Sequence, residues 1–134
     1  MTLTNEQKSH FLNLYHIALS DSEIDVLELE MLYQIGAERG ISLGQIQEVV
    51  IRPDTVKFSF PTTVIEKIEC LYDFAKIAWA DGKIDSNERR LLNMFCSKFG
   101  FEEDNIPTLT QFLLDEAEKG TSTEELLKIV SEYI

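Results

Sequence analysis

Residues 71–101, LYDFAKIAWADGKIDSNERRLLNMFCSKFGF, overlie residues 11–41, FLNLYHIALSDSEIDVLELEMLYQIGAERGI, at an offset of 60 positions and without a gap. Identities fall at Ile17/Ile77, Ala18/Ala78, Asp21/Asp81, Ile24/Ile84, Asp25/Asp85, Glu28/Glu88, Leu32/Leu92 and Gly40/Gly100. Apolar character persists at Leu14/Phe74, Met31/Leu91, Ile35/Phe95 and Ile41/Phe101. Matches confined to turn, cap and core positions mark an internal repeat. Within each copy the apolar residues recur at helical spacing, first Phe11, Leu14, Tyr15 and Ala18, then Leu27, Met31, Leu32 and Ile35. Each copy therefore predicts helix, short turn, helix. Gly40 and Gly100 follow the second helix, where a left-handed C-cap favours a residue without a Cβ. Gly36 and Cys96 stand at matching interior positions, where a small residue lets two helices approach.

Capping boxes recur along the chain, at Thr4–Gln7, Asp25–Glu28, Ser42–Gln45, Thr63–Glu66, Asp85–Glu88 and Ser122–Glu125. Pro53 and Pro61 bracket PDTVKFSFP, which predicts a hinge over 52–62. Its alternating Val56, Phe58 and Phe60 have no evident partner strand, so a loop tucked onto the core is expected. Pro107 suits the first turn of a helix, and Gly120 separates that helix from TSTEELLKIVSEYI. Seven helices are expected, near 5–20, 26–39, 43–52, 63–80, 86–99, 106–119 and 122–133. The fold class that follows is all-α, a bundle of two pseudo-symmetric helix-turn-helix halves within one domain over 1–134. Phe74, Trp79, Phe95 and Phe99 read as core, and the amphipathic last helix is expected to pack on its own core.

The composition narrows function. The chain carries 24 acids against 12 Lys and Arg, a formal charge of −12, with 44% apolar and 27% charged residues. That is a globular composition, and it can bury a core without disulfides or metal. A polyanion would be repelled, so nucleic acid is not an expected partner; a cation or a basic protein surface is. No apolar run approaches the length of a membrane span, and the opening residues carry no secretory pattern, so a cytoplasmic place is expected. Cys70 and Cys96 form no metal or redox motif and read as buried thiols. His10 and His16 lie on different faces of the first helix, unsuited to joint ligation, and read as ordinary, partly exposed residues.

The turn AWADGKIDSNE, residues 78–88, looks like the back of an EF-hand loop, with Asp81, Gly82, Ile84 and Glu88 in register. The positions of two obligatory oxygen ligands are then Ile77 and Trp79, so it is not an EF-hand. Capping explains much of it: Asp85 as N-cap accepts from the Glu88 N–H while Glu88 reaches back, and Asp25 with Glu28 can do the same. Both carboxylates favour the positive end of the helix dipole. Asp21 and Asp81 sit at helix C-terminal ends, where an anion is disfavoured. Two readings stand side by side: capping alone, or capping together with a weak divalent site at Asp81, Asp85 and Glu88, with Asp21 or Glu23 across the pseudo-twofold. Oxygen ligands select Ca²⁺ or Mg²⁺ over Zn²⁺.

At these residues the chain resembles the TerB-like family, the helical domain named for bacterial tellurite resistance. The signature Ala-Asp-Gly-x-Ile-x-x-x-Glu stands complete at Ala80–Glu88, and the resemblance covers most of residues 10–120. The first copy departs, with Ser20-Asp21-Ser22-Glu23-Ile24 in place of Ala-Asp-Gly-x-Ile. The resemblance implies an all-helical, internally pseudo-symmetric, non-enzymatic module linked to stress response. It also implies divalent-metal binding at Asp81, Asp85 and Glu88, and at the matching Asp21, Asp25 and Glu28. No catalytic or organic-cofactor residues are expected. The competing readings are a metal-dependent hydrolase, in which clustered carboxylates hold ions that activate water, and a purely structural or oligomerisation domain with inert capping acids.

Overall fold

Side-chain caps begin the helices wherever the boxes fall on described residues. In the computed structural model, which describes residues 3–18, 26–80, 82, 84 and 86–132, the Gln7 N–H donates to Thr4 Oγ1 at 3.1 Å and the Thr4 N–H donates to Gln7 Oε1 at 2.9 Å. Ser42 and Gln45 form the same reciprocal box, and Thr63 and Ser122 accept from the N–H groups of Glu66 and Glu125. The Asp25 and Asp85 boxes rest on residues outside those described. The resulting elements are α1 (Asn5–Ala18), α2 (Val26–Glu38), α3 (Leu43–Ile51), α4 (Val64–Ala78), α5 (Ser86–Lys98), α6 (Ile106–Lys119) and α7 (Thr123–Ser131). These seven α-helices, with short 3-10 turns at Pro53–Thr55 and Glu103–Asn105, make the described residues all-helical, without a strand. Pro107 lies in the first turn of α6 as expected. Among the described residues no helix is long and apolar enough to cross a membrane.

The core gathers around α4. Leu71, Tyr72, Phe74, Ala75, Ile77 and Ala78 are all buried, because α4 is packed by α1, α2, α5, α6 and α7 on several sides. Helix α1 lies against α2, α3 and α4, and α5 against α4 and α6. Tyr72 ties α7 in by donating its hydroxyl to the Thr121 carbonyl at 2.5 Å. Phe95 and Phe99 are buried as expected, whereas Trp79 is only half-buried at the end of α4. Gly40 and Gly100 have φ of +75° and +94°. In both turns a bond back into the helix satisfies an orphan carbonyl: Ile41 N–H to Gly36 O at 2.8 Å, and Phe101 N–H to Cys96 O at 3.1 Å.

Gly36 carries a close helix approach. A Cβ there would lie 2.7 Å from Ile46 Cδ1 and 3.3 Å from the Ile41 carbonyl, so α3 sits against bare α2 backbone. Overpacking of this kind costs about 1–3 kcal/mol, against about 1 kcal/mol gained when alanine replaces glycine in a helix. Gly36→Ala is therefore expected to lower stability by up to about 2 kcal/mol. Trimming the obstructing methyl with Ile46→Val should make the same change neutral or stabilising, a sign reversal that urea unfolding of the double-mutant cycle will read.

Candidate functional site

Of the six acids singled out in the sequence, the structure describes Glu28 and Glu88. They occupy the first turns of α2 and α5, and each is 1% exposed. Burying a carboxylate so completely is costly unless it is engaged, and each of the two interacts with a neighbouring group. Asp21, Asp25, Asp81 and Asp85, with Glu23, lie outside the described residues. Between them, Gly82 has a φ of +85° with nothing within 4 Å of where a Cβ would stand. The requirement there is conformational, not steric. Ile84 is half-buried and packs against the core, the apolar anchor expected of it. Among the described residues, no group of three or more His, Cys, Asp or Glu side chains could hold a metal ion. A divalent site at these turns would therefore draw at least one ligand from the acids at 21, 23, 25, 81 and 85.

A second cluster escaped sequence reasoning. His10 on α1 is 8% exposed, not the partly exposed residue expected, and its Nε2–H donates to Asp73 Oδ2 of α4 at 2.8 Å. The same oxygen accepts from Arg39 Nη2 at 2.6 Å, just beyond the end of α2, and Arg39 also reaches Glu69 Oε1 at 3.4 Å. Asp73 is 1% exposed. Its burial in the run Leu71-Tyr72-Asp73-Phe74-Ala75 is the signal a reader could have used, since an acid inside an all-buried stretch needs a cationic partner. His16, by contrast, is exposed.

Beside this cluster lies a cavity of about 120 Å³, lined in part by His10, Arg39, Cys70, Phe11, Ser59 and Phe99. Cysteine, histidine and aspartate thus meet in one neighbourhood, the composition of a nucleophilic triad. The electrostatics oppose that chemistry. Burial, reinforced by the Asp73 charge, pushes the Cys70 thiol up to about 12, whereas a nucleophile needs its thiolate near neutral pH. Burial likewise raises the Cys96 thiol to about 11. Both cysteines are free, with Cys96 fully buried and Cys70 partly so. The His10 ring nitrogen left for proton transfer is Nδ1, which has no hydrogen-bond partner among the described residues, while Nε2 is committed to Asp73. The arrangement is suited to fastening three helical segments together.

In comparisons with known proteins, no protein-family model, curated protein or solved structure matches the chain.

Proposed function

We propose that the chain is a non-enzymatic, TerB-like interaction module of two related halves, linked to a stress response. In this reading its acidic inter-helix turns hold Ca²⁺ or Mg²⁺ weakly and offer a negative surface to a basic protein partner. The observation that carries the reading is the paired burial of Glu28 and Glu88, one acid per half drawn inside at the same step of the repeat. Around that pair, the buried positions of one copy recur in the other, as Leu14/Phe74, Ile17/Ile77, Leu32/Leu92, Ile35/Phe95 and Gly36/Cys96. The hard carboxylate oxygens on offer fit Ca²⁺ and Mg²⁺ in kind, and the net charge of −12 favours cationic partners. The raised thiols and the committed His10 Nε2 support leaving catalysis out.

With few protein ligands, affinity should lie on the order of 10⁻⁴–10⁻³ M. A ligand of the folded form at about ten to one hundred times its dissociation constant adds about 1.4–2.7 kcal/mol. Ca²⁺ at about 10 mM should therefore raise the unfolding midpoint of the wild type by several degrees, and that of Asp81→Asn by much less. Midpoints unmoved in both proteins would end the cation part of the reading. The purely structural alternative draws on the four side-chain caps whose geometry is directly seen, because identical chemistry at Asp25 and Asp85 would need no ion. It prevails if Asp21→Asn and Asp81→Asn leave both metal response and partner binding untouched. A metal-dependent hydrolase would instead show phosphoesterase activity that Asp81→Asn abolishes.

A further inference from the structure

Residues 56–60, VKFSF, are held as extended chain against the start of α1 by two side chains one helical turn apart. Asn5 Nδ2 donates to the Lys57 carbonyl at 3.0 Å, and the Lys57 N–H donates to Asn5 Oδ1 at 3.3 Å. Ser9 Oγ donates to the Ser59 carbonyl at 3.1 Å and accepts from the Ser59 N–H at 2.9 Å. The two α1 side chains thus do for Lys57 and Ser59 what a neighbouring strand would do. In extended backbone the peptide groups of alternate residues face opposite edges, so the N–H and C=O of Phe58 face away from α1. No group among the described residues hydrogen-bonds to them, and Phe58 is 45% exposed. An open edge of this kind is a template for another chain.

The surroundings state what kind of chain. Phe58 and Phe60 project together, their ring centroids 6.0 Å apart, and rest on the buried ring of Phe99 at 6.4 and 5.5 Å. Both stay exposed, Phe60 at 38%. Lys98 Nζ stands 5.1 Å from the Phe58 ring, and Lys67 Nζ stands 5.5 Å from Phe60 and 6.0 Å from Phe101. With exposed Lys57, three of the chain's 12 basic residues border this short strap on a protein of net charge −12. A second copy pairing at the same edge would set these lysines against one another. An acidic segment would meet them with opposite charge.

We propose that residues 56–60 form a docking edge for an extended acidic segment of a partner protein, which pairs its backbone with Phe58 and sets carboxylates beside Lys67 and Lys98. This surface is separate from the acidic turns, so it stands or falls independently of the reading given for them. The test is selection of a random linear peptide library, displayed on phage, against the full chain, followed by fluorescence anisotropy of the selected peptides. The expected winners alternate apolar residues with Asp or Glu. They should lose about tenfold or more in affinity toward the Lys67→Glu, Lys98→Glu double variant, whose changes lie on partly or fully exposed side chains. N-methylation of the one peptide residue that pairs with Phe58 should abolish binding, while methylation of its neighbour should not. Thermal unfolding of the variant checks that it is folded; should it not be, Phe58→Asp replaces it. The proposal is overturned by a selection that returns basic sequences or none, by undiminished binding to the folded variant, or by indifference to backbone methylation.

Discussion

Replacement of Asp73 by alanine is expected to lower the unfolding free energy by about 3–5 kcal/mol, the usual loss when one member of a buried ion pair is removed. The carboxylate oxygen at the centre of the cluster accepts from His10 at 2.8 Å and from Arg39 at 2.6 Å. It therefore joins α1, the end of α2 and α4 at one atom. Deleting it leaves His10 buried without its partner and frees Arg39 to turn outward, since that side chain is already 29% exposed. Arg39→Ala should also be costly, because it takes from the buried Asp73 carboxylate its guanidinium partner and leaves only His10 beside it. A midpoint lowered by on the order of 10–20 °C is expected for Asp73→Ala in a chain of this size. Joint replacement by His10→Leu and Asp73→Leu should recover much of the loss, because apolar groups of similar volume can replace a buried pair at little cost. A loss below about 1 kcal/mol for Asp73→Ala would show that the cluster does not fasten the three segments.

The helices were legible in the chain because each announces itself locally. Thr4, Ser42, Thr63 and Ser122 sit where they cap, and the 3.6-residue recurrence of Phe11, Leu14 and Ala18 names the buried side of α1. The His10–Asp73 contact was not legible, since its members are 63 positions apart. Periodicity tells which face a residue takes, not which distant residue it will meet. Histidine spacing bears on metal ligation, whereas the more informative oddity is an acid inside LYDFA. Capping logic placed Glu28 and Glu88 at helix starts but carried no information about depth, and their near-complete burial emerges only once the neighbouring helices close over them. The strap is a third case. Alternation in VKFSF finds no partner strand in the sequence, which points to a loop, yet the segment is paired by two polar side chains of α1, Asn5 and Ser9, which no pattern in the sequence singles out.

Phe74→Ala carries the other large expected loss, about 3–5 kcal/mol for a fully buried ring whose cavity cannot wholly collapse. Phe74 has no exposed surface, and its ring centroid lies 4.8 Å from Phe95, 5.4 Å from His10 and 6.3 Å from Phe99. Its removal therefore withdraws packing from α5 and from the Asp73 cluster together. Phe74→Leu should be much milder, at about 1–1.5 kcal/mol, because leucine keeps most of the volume and already serves at Leu14, the matching position of the first copy. Urea unfolding with an unchanged m-value would assign the difference to the native state. The comparison also reaches the surface. Phe99 is the floor on which Phe58 and Phe60 rest, so a cavity beneath it should loosen the strap and weaken any ligand of that edge in Phe74→Ala more than in Phe74→Leu. Equal peptide affinity in the two variants, both folded, would mean that the strap is held by Asn5 and Ser9 alone and that its aromatic floor adds nothing to recognition.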